Sequence, residues 1–404
     1  MRNLKMHAAQ NYDTLPVILE RGSNSWLQDD RGNRYLDLFS SYAVTNFGHK
    51  HPRLYKALAN QMELLPVSSR VFPNQQFAQF CHDVAEFCNM DRVLPVVDGA
   101  GAVERAIKIA RKWARTRKKK ANRIICFGGN FHGRSYGALS MSDNQNYKNG
   151  FEPFLDGFTI ASFGDVRELE RVLRVSQPSN LSDGYDITAI FIEPIQGEAG
   201  VVIPPDGYLK NVRDFCTRNN ILMVADEIQT GFGRTGYDLA CQYENVQPDI
   251  YLLGKALGGG IVPISAIVAK SEVMDVIGLG DDGSTFGGYP LGCAVAIEAI
   301  KVLKEEELSE NAKKVGSYFI RELKSLKNRS IVEVRGRGLM VGLELNSISQ
   351  AKSAQLELLK QEVVCGCSHN VLRLSPPLNI TQEEIDWALA RIEIALLQRS
   401  VICG

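Results

Sequence analysis

An aspartate and a lysine set in glycine-rich turns carry the strongest chemical signal in this sequence. The apolar run Ile221–Ala225 leads directly into Asp226, and Lys255 follows Asp226 by 29 residues, after a second apolar run and Gly254. A lysine in apolar surroundings loses its proton readily and becomes a nucleophile. Pyridoxal 5'-phosphate needs such a lysine as its covalent partner and a carboxylate that keeps its pyridine nitrogen protonated. The spacing fits that pairing, and it equally fits a surface lysine and an aspartate that caps a helix.

The elements that must position these two residues are short and apolar on both faces. Each run has the length of a strand, which indicates strands buried on both sides of a parallel sheet; the runs are Arg123–Phe127, Ile187–Ile192, Ile221–Ala225 and Ile250–Leu253. Segments of helical periodicity, such as Gly101–Arg115, lie between them. This alternation predicts an α/β domain with a mainly parallel sheet and helices on both faces, whose ligand site lies beyond the carboxyl ends of the strands.

The pattern changes near Pro290, which predicts a second domain. Helical segments there alternate with short strands, as is typical of a smaller α+β domain. Near the amino terminus, two strand-like runs, Ser25–Gln28 and Tyr35–Phe39, surround a turn. We therefore predict an N-terminal segment, residues 1–45, that joins the small domain, a large domain at 46–289 and a C-terminal small domain at 290–404.

Composition excludes several classes of protein. The 404 residues include 46 Lys and Arg against 46 Asp and Glu, so the basic excess of a nucleic-acid-binding protein is missing. The apolar fraction of 45% argues against disorder, and no apolar run approaches the roughly 20 residues that span a bilayer. Nine cysteines without a CxxC pair indicate reduced thiols. We predict a cytoplasmic protein that uses no metal and binds neither nucleic acid nor membranes.

The motifs around the two central residues resemble those of the class III pyridoxal-phosphate aminotransferases of fold type I. Within that class they are most similar to the enzymes that act on the δ-amino group of ornithine. The resemblance runs nearly from end to end, and its motifs are Asn11-Tyr12, Ser40-Ser41-Tyr42, Gly48-His49-Lys50-His51-Pro52, Asn130-Phe131-His132-Gly133-Arg134, Glu193-Pro194-Ile195-Gln196-Gly197-Glu198-Ala199-Gly200, Gly283-Ser284-Thr285-Phe286-Gly287-Gly288 and Arg373-Leu374-Ser375-Pro376-Pro377-Leu378.

The resemblance implies a role for each matching residue around the cofactor. Lys255 would hold pyridoxal 5'-phosphate covalently and then move the proton of the substrate carbon, while Asp226 would pair with the ring nitrogen. Phe131 would stack on the ring, and Gln229 would lie on the side of its phenolic oxygen. Thr285 would bind the phosphate in the neighbouring subunit, which implies a homodimer with shared sites. The full implied cofactor-binding set is Gly99, Ala100, Phe131, His132, Glu193, Asp226, Gln229, Lys255, Ser284 and Thr285.

The implied reaction exchanges an amino group between L-ornithine and 2-oxoglutarate, giving glutamate 5-semialdehyde, which cyclises to pyrroline-5-carboxylate, and glutamate. Glu198 and Arg373 match a pair that masks an arginine for one substrate and frees it for the other. Arg134, with the phenol of Tyr12, would hold the far end of the substrate. Tyr42 matches a position where tyrosine accompanies ornithine chemistry.

One motif departs from the family. Asp98 stands where the family carries a hydroxyl residue, and Gly101 stands where it carries a glutamate, at the helix start that holds the cofactor phosphate. A carboxylate there competes for the N–H groups that the phosphate needs, so we expect weakened cofactor affinity. His132, too, replaces an aromatic residue common in the ornithine enzymes. Three alternatives stay open: an ω-aminotransferase for acetylornithine, lysine or GABA, a racemase or epimerase, and a repurposed homologue that binds cofactor poorly.

Overall fold

The structure, a computed structural model, describes residues 7–117, 122–175 and 187–397. Its strands are Leu19–Ser23 (β1), Trp26–Asp29 (β2), Arg34–Leu38 (β3), Arg92–Val96 (β4), Arg123–Phe127 (β5), Phe158–Ala161 (β6), Ile187–Ile192 (β7), Leu222–Asp226 (β8), Ile250–Leu253 (β9), Ser265–Ala269 (β10), Ile331–Arg337 (β11), Met340–Leu345 (β12), Val363–Ser368 (β13) and Val371–Leu374 (β14).

The helices of the described residues include one left-handed turn, Ser40–Ala43 (α1), in which every residue has a positive φ. The others are Pro52–Leu64 (α2), Gln75–Cys88 (α3), Gly99–Thr116 (α4), Tyr136–Met141 (α5), Gln145–Lys148 (α6), Val166–Val175 (α7), Tyr208–Asn219 (α8), Ser271–Met274 (α9), Pro290–Glu305 (α10), Leu308–Ser325 (α11), Ile348–Lys360 (α12) and Gln382–Leu397 (α13). None of these described helices combines the length and apolar character needed to cross a bilayer.

The described strands form two sheets of seven strands each, and the sheet of the predicted large domain (the large sheet) has the order β4-β10-β9-β8-β7-β5-β6. The run from β9 to β6 is parallel, whereas β10 is antiparallel to both of its neighbours, β9 and β4. All the residues of β7, β8 and β9 are buried. The parallel order brings the carboxyl ends of β5, β7, β8 and β9 to one edge of the sheet.

Two apolar layers cover this sheet, which explains why its strands lack an alternating pattern. Alternate residues such as Phe191 and Val224 join α4 in one core, while their neighbours Ile192 and Met223 join the core on the opposite face. Because both faces are covered, nearly every position along these strands is apolar. The predicted α/β fold with helices on both faces is therefore confirmed.

The second sheet orders its described strands β1-β2-β3-β13-β14-β12-β11. Strand β3 pairs in parallel with β13, with Leu36 opposite Val363, so residues near the amino terminus enter a sheet built from the last hundred residues. Helix α10 packs against α2 and α3. The domain boundaries at residues 45 and 289 stay a prediction.

The predicted strands of the large sheet agree closely with the observed ones. Three have the predicted bounds, and the fourth is Leu222–Asp226 rather than Ile221–Ala225. Asp226 is thus the last residue of β8, so its backbone is held by the sheet rather than by a loop. The N-terminal pair is observed at Trp26–Asp29 and Arg34–Leu38, close to the predicted runs.

Candidate active site

Lys255 lies directly beyond the carboxyl end of β9. It opens a short 3-10 turn, Lys255–Gly258, with a φ of 46°, and its side chain lines a cavity. Burial lowers the pKa of its ammonium group to about 8, an effect that the nearby Glu198 carboxylate partly opposes. A larger fraction of Lys255 is therefore uncharged near neutral pH than for an exposed lysine.

Asp226 ends the neighbouring strand β8 and forms a buried pair with His132. Nδ1 of His132 lies 2.7 Å from Oδ2 of Asp226, and Oδ1 of Asp226 accepts a hydrogen bond from the Ile228 amide at 3.2 Å. Burial opposes the protonation of His132, but the hydrogen bond and the charge of Asp226 outweigh it and raise the pKa of the histidine. The pair favours a protonated His132.

Glu193 follows β7 and supports the segment that carries Phe131. Oε2 of Glu193 accepts a hydrogen bond from the Phe131 amide at 3.0 Å. Burial raises the pKa of Glu193 to about 7, although the neighbouring His132 opposes this. Side chains at or just beyond the carboxyl ends of the adjacent strands β5, β7, β8 and β9 thus converge at one edge of the sheet.

Gln229 joins the lysine to a carboxylate–arginine pair. With its amide oxygen turned toward the two cations, it accepts from Nζ of Lys255 at 2.9 Å and from Nη2 of Arg373 at 3.1 Å. Nη1 of Arg373 donates to Oε1 of Glu198 at 2.7 Å. Burial would raise the pKa of Glu198, but the charge of Arg373 outweighs it, and the pKa is lowered. Gly197 makes room for this arrangement, since a Cβ atom there would lie 1.4 Å from the Gln229 amide.

A cavity of about 210 Å³ lies between these groups. Its lining residues are Gly99, Ala100, Phe131, His132, Gly133, Glu193, Ile195, Glu198, Asp226, Ile228, Gln229, Thr230 and Lys255.

These residues fit pyridoxal 5'-phosphate in the chemistry of their donors. The uncharged amine of Lys255 suits an aldehyde, and the carboxylate of Asp226 suits a protonated ring nitrogen. The side chain of His132 is fully buried, and its Nε2 has no partner among the described residues.

The predicted phosphate residues fall into two groups. Gly99 and Ala100 start helix α4 and line the cavity, and the described residues provide no acceptor for their amides. Ser284 and Thr285 lie on the segment between α9 and α10, outside the residues that line the cavity. Oγ of Ser284 accepts from the Gly287 amide at 3.0 Å, and Thr285 is exposed.

Of the predicted substrate residues, Tyr42 lies next to the Glu198–Arg373 pair, and Tyr12 and Arg134 lie close enough to Tyr42 to act on it electrostatically. The guanidinium of Arg373 lies 5.4 Å from the ring centroid of Tyr42, which the left-handed turn α1 presents. Burial raises the pKa of Tyr42, and the charges of Glu198, Arg373, Tyr12 and Arg134 also act on it. Tyr12 is 65% exposed.

Two residues of this region were missed by sequence reasoning. Tyr147 of α6 lies under the guanidinium of Arg134, at 4.5 Å from its ring centroid, and meets the ring of Phe131 edge-on at 5.9 Å. It stands in a polar stretch with no motif, so nothing in the sequence singles it out. Glu227 accepts hydrogen bonds from the Thr230 hydroxyl and the Ala240 and Cys241 amides. Its position directly after Asp226, at the end of an apolar run, was the signal in the sequence that could have identified it.

A lysine of lowered pKa and a carboxylate–histidine pair, at the carboxyl ends of parallel strands covered by helices, define a pyridoxal-phosphate enzyme of fold type I. The class-III aminotransferase family model matches residues 7–396. An ornithine aminotransferase of Geobacillus sp. (strain WCH70) is 45% identical over 400 residues, which is 97% of each chain.

Solved structures give the same result. The ornithine aminotransferase of Toxoplasma gondii ME49 aligns with a TM-score of 0.94 and 39% identity, over 99% of this chain and 94% of that one. The acetylornithine aminotransferase of Elizabethkingia anophelis aligns with a TM-score of 0.87 and 38% identity, over 98% of each chain. The chain belongs to the class-III aminotransferase family, and it is a pyridoxal-phosphate-dependent aminotransferase that acts on amino acids and 2-oxo acids.

Proposed function

We propose that this chain transfers the δ-amino group of L-ornithine to 2-oxoglutarate. The products are glutamate 5-semialdehyde, which cyclises to pyrroline-5-carboxylate, and glutamate. The observation that carries the proposal is the Glu198–Arg373 pair, joined through Gln229 to Lys255. The similarity to ornithine aminotransferases over nearly the whole chain supports it.

The Glu198–Arg373 pair allows one site to bind two different substrates, ornithine and glutamate. Glutamate presents its α-amine to the reacting centre, so its α-carboxylate arrives close to the lysine and needs a cation there. Ornithine presents its δ-amine and brings no carboxylate to that place. Glu198 neutralises Arg373 while ornithine is bound, and its withdrawal frees the guanidinium to grip a carboxylate through two hydrogen bonds.

The buried groups divide the proton chemistry among themselves. Pyridoxal 5'-phosphate, when bound, supplies an aldehyde that condenses with amines and a ring that withdraws electrons. The uncharged amine of Lys255 takes the proton from the substrate carbon that bears the nitrogen and later returns one. Asp226 would hold a proton at the ring nitrogen, and the hydrogen bond from His132 orients the Asp226 carboxylate. Gln229 restrains the lysine by accepting from its Nζ.

The far end of ornithine is recognised by Arg134, Tyr12 and Tyr42 in this proposal. Arg134 offers a fixed cation to the α-carboxylate, because Tyr147 supports its guanidinium from below. Tyr12 and Tyr42 offer phenolic oxygens to the α-amino group. The exposure of Tyr12 leaves it open to a ligand.

We further propose that the protein is a homodimer of the cytoplasm in which Ser284 and Thr285 reach the partner's cofactor phosphate. Both residues lie outside the cavity of their own chain, and Thr285 is exposed. Apolar side chains are exposed nearby in sequence, at Leu279 and Phe286. The cytoplasmic location rests on the cysteine usage of the sequence.

A comparison of amino donors tests the substrate. Purified protein with 2-oxoglutarate should form glutamate fastest from ornithine, against acetylornithine, lysine, GABA and putrescine, and trapping should detect pyrroline-5-carboxylate. Preference for acetylornithine or lysine would contradict the ornithine assignment and leave the aminotransferase class intact.

The Glu198→Ala variant tests the masking role. With Arg373 permanently free, the half-reaction with ornithine should slow by about tenfold or more, while the half-reaction with glutamate keeps its rate. The Glu198→Gln variant serves as the control for size. Equal losses in both half-reactions would show that Glu198 does not mask the arginine.

A further inference from the structure

Asp98 occupies the start of the helix that faces the cofactor cavity. It caps α4 with an extended backbone, φ −141° and ψ 169°, and its Oδ1 accepts a hydrogen bond from the Gly101 amide at 2.6 Å. The next residues, Gly99 and Ala100, line the same cavity as Lys255. Asp98 itself is exposed and outside the cavity lining, and its carboxylate lies at the start of an α-helix that the cavity touches.

Gly101 lets the carboxylate fold back over the first turn. A Cβ atom at this position would lie 3.2 Å from Oδ1 of Asp98 and 3.4 Å from Nη1 of Arg105, tighter than ordinary contacts. Asp98 and Gly101 are the two departures from the family motif, and in the structure they bond to each other. They act as one substitution rather than as two independent ones.

No described cation pairs with this carboxylate. Arg105, one turn further along α4, is occupied elsewhere: its Nε donates to Oδ2 of Asp282 at 2.7 Å, its Nη2 to the carbonyl of Gly283 at 2.9 Å and its Nη1 to the carbonyl of Gly101 at 3.2 Å. The positive end of the helix dipole and the Gly101 amide are what remain to balance Asp98.

A phosphate group at the start of α4 would find fewer free N–H donors than at an ordinary helix start. It would also lie near the negative charge of Asp98. Helix starts bind phosphate because three or four amides lack partners and the helix dipole is positive there. Here Asp98 takes the Gly101 amide and offsets the dipole, so Gly99 and Ala100 are left as donors. A neutral group in the same place would lose a donor but would not be repelled.

We propose that, because of Asp98, the phosphate group of the cofactor adds little to its affinity for this site. The protein then binds pyridoxal 5'-phosphate weakly and binds unphosphorylated pyridoxal comparatively well. Affinity for the cofactor would then rest on the ring contacts of Asp226 and Phe131, on Lys255 and on the Thr285 that a second subunit contributes. This inference depends on the cofactor and its orientation in the cavity, and it is independent of which amino donor reacts.

Equilibrium titration of the cofactor-free full-length protein tests the proposal. The probes are pyridoxal 5'-phosphate and pyridoxal, followed by visible absorbance and by tryptophan fluorescence. Asp98→Asn keeps a good cap residue and removes the charge. We expect it to lower the Kd for pyridoxal 5'-phosphate by about five- to tenfold, the size of one screened charge interaction, and the Kd for pyridoxal by less than about twofold. Asp214→Asn, an exposed aspartate of α8 outside the cavity lining, is the matched control and should change neither value.

Three results would overturn the proposal. The Kd for pyridoxal 5'-phosphate is unchanged or raised in Asp98→Asn, both compounds tighten equally, or Asp214→Asn reproduces the effect. Failure of the wild-type protein to bind either compound would instead refute the assigned cofactor site, and a change of preferred amino donor would leave the proposal untouched.

Discussion

At the scale of single residues, the site depends on how closely Gly197 approaches Gln229. The glycine lies between Gln196 and Glu198, and only a missing side chain lets the Gln229 amide reach Lys255 and Arg373 together. The amide is the end of a flexible side chain, so a methyl group at residue 197 would displace it rather than prevent folding.

We predict that Gly197→Ala lowers kcat/KM by about tenfold or more, because the displaced amide no longer restrains Lys255 and Arg373. A double-mutant cycle with Gln229→Ala checks the route of the effect. The double variant should be no worse than Gln229→Ala alone. Full additivity of the two losses would contradict a shared cause, and thermal unfolding should show that both variants fold.

The second prediction concerns the charge of Lys255. Its lowered pKa means that the amine becomes an uncharged nucleophile as the pH rises through about 8, rather than near the ordinary lysine value. Labelling of the cofactor-free protein with an amine-reactive reagent, measured by peptide mass spectrometry, should therefore accelerate at Lys255 with a midpoint near pH 8. Exposed lysines such as Lys352 provide the internal reference. A midpoint near pH 10 at Lys255 would show that burial does not lower its pKa.

At the scale of elements, the buried guanidinium of Arg234 joins three separate parts of the chain. Its Nη1 donates to the carbonyls of Leu339 at 2.9 Å and Pro376 at 2.6 Å, and its Nη2 donates to Oδ1 of Asn46 at 2.5 Å. Burial lowers its pKa to about 9. It connects the loop after β8, which carries Gln229, with the segments before β12 and after β14, next to Arg373.

We predict that Arg234→Met costs about 3 kcal/mol or more of unfolding free energy, since the methionine leaves buried acceptors without partners. Denaturant titration measures the loss. Arg167→Met, in which the arginine is almost fully exposed, should leave the unfolding midpoint unchanged. If Arg234→Met were as stable as wild type, these hydrogen bonds would not hold the segments together.

The strands were predicted correctly where burial makes the residues of a segment apolar, since that pattern is visible in the segment itself. Strands β5, β7 and β9 have their predicted bounds because both faces of the sheet are covered and nearly every residue is apolar, apart from Arg123 and Thr188. The left-handed turn at Ser40–Ala43 has no sequence pattern that would predict it. Its residues are not glycines, so the strained backbone is imposed by the surrounding structure.

At the scale of the whole molecule, an exposed apolar segment lies between helices α2 and α3. Val71 is 81% and Phe72 is 68% exposed, and Leu64, Leu65 and Val67 are also exposed. Several exposed apolar side chains within one short segment are typical of an interaction site. It supports the proposed homodimer.

We predict that the Val71→Asp/Phe72→Asp double variant sediments as a monomer and binds pyridoxal 5'-phosphate more weakly, because Thr285 then lacks a partner site. Analytical ultracentrifugation and cofactor titration measure the two effects. Val332→Asp, at an exposed apolar position on β11, is the control and should stay dimeric. A double variant that remains a dimer would place the interface elsewhere.

The sequence by itself determined the family and the α/β class, and it predicted Lys255 and Asp226 as the reactive pair. Lys255 and Asp226 stand at the ends of apolar strands. Such strands can be recognised from a short stretch of sequence, because each of their residues is buried and therefore tends to be apolar. The tertiary structure alone decided that His132 meets Asp226, that Tyr147 meets Arg134 and that β3 pairs with β13. It also places Glu198 beside Arg373, 175 residues away, as the resemblance implies. The physical reason is that side-chain pairing depends on how the chain closes on itself. A polar residue has the same local pattern whether it lies at the surface or is held, as Arg234 is, in the centre of the molecule.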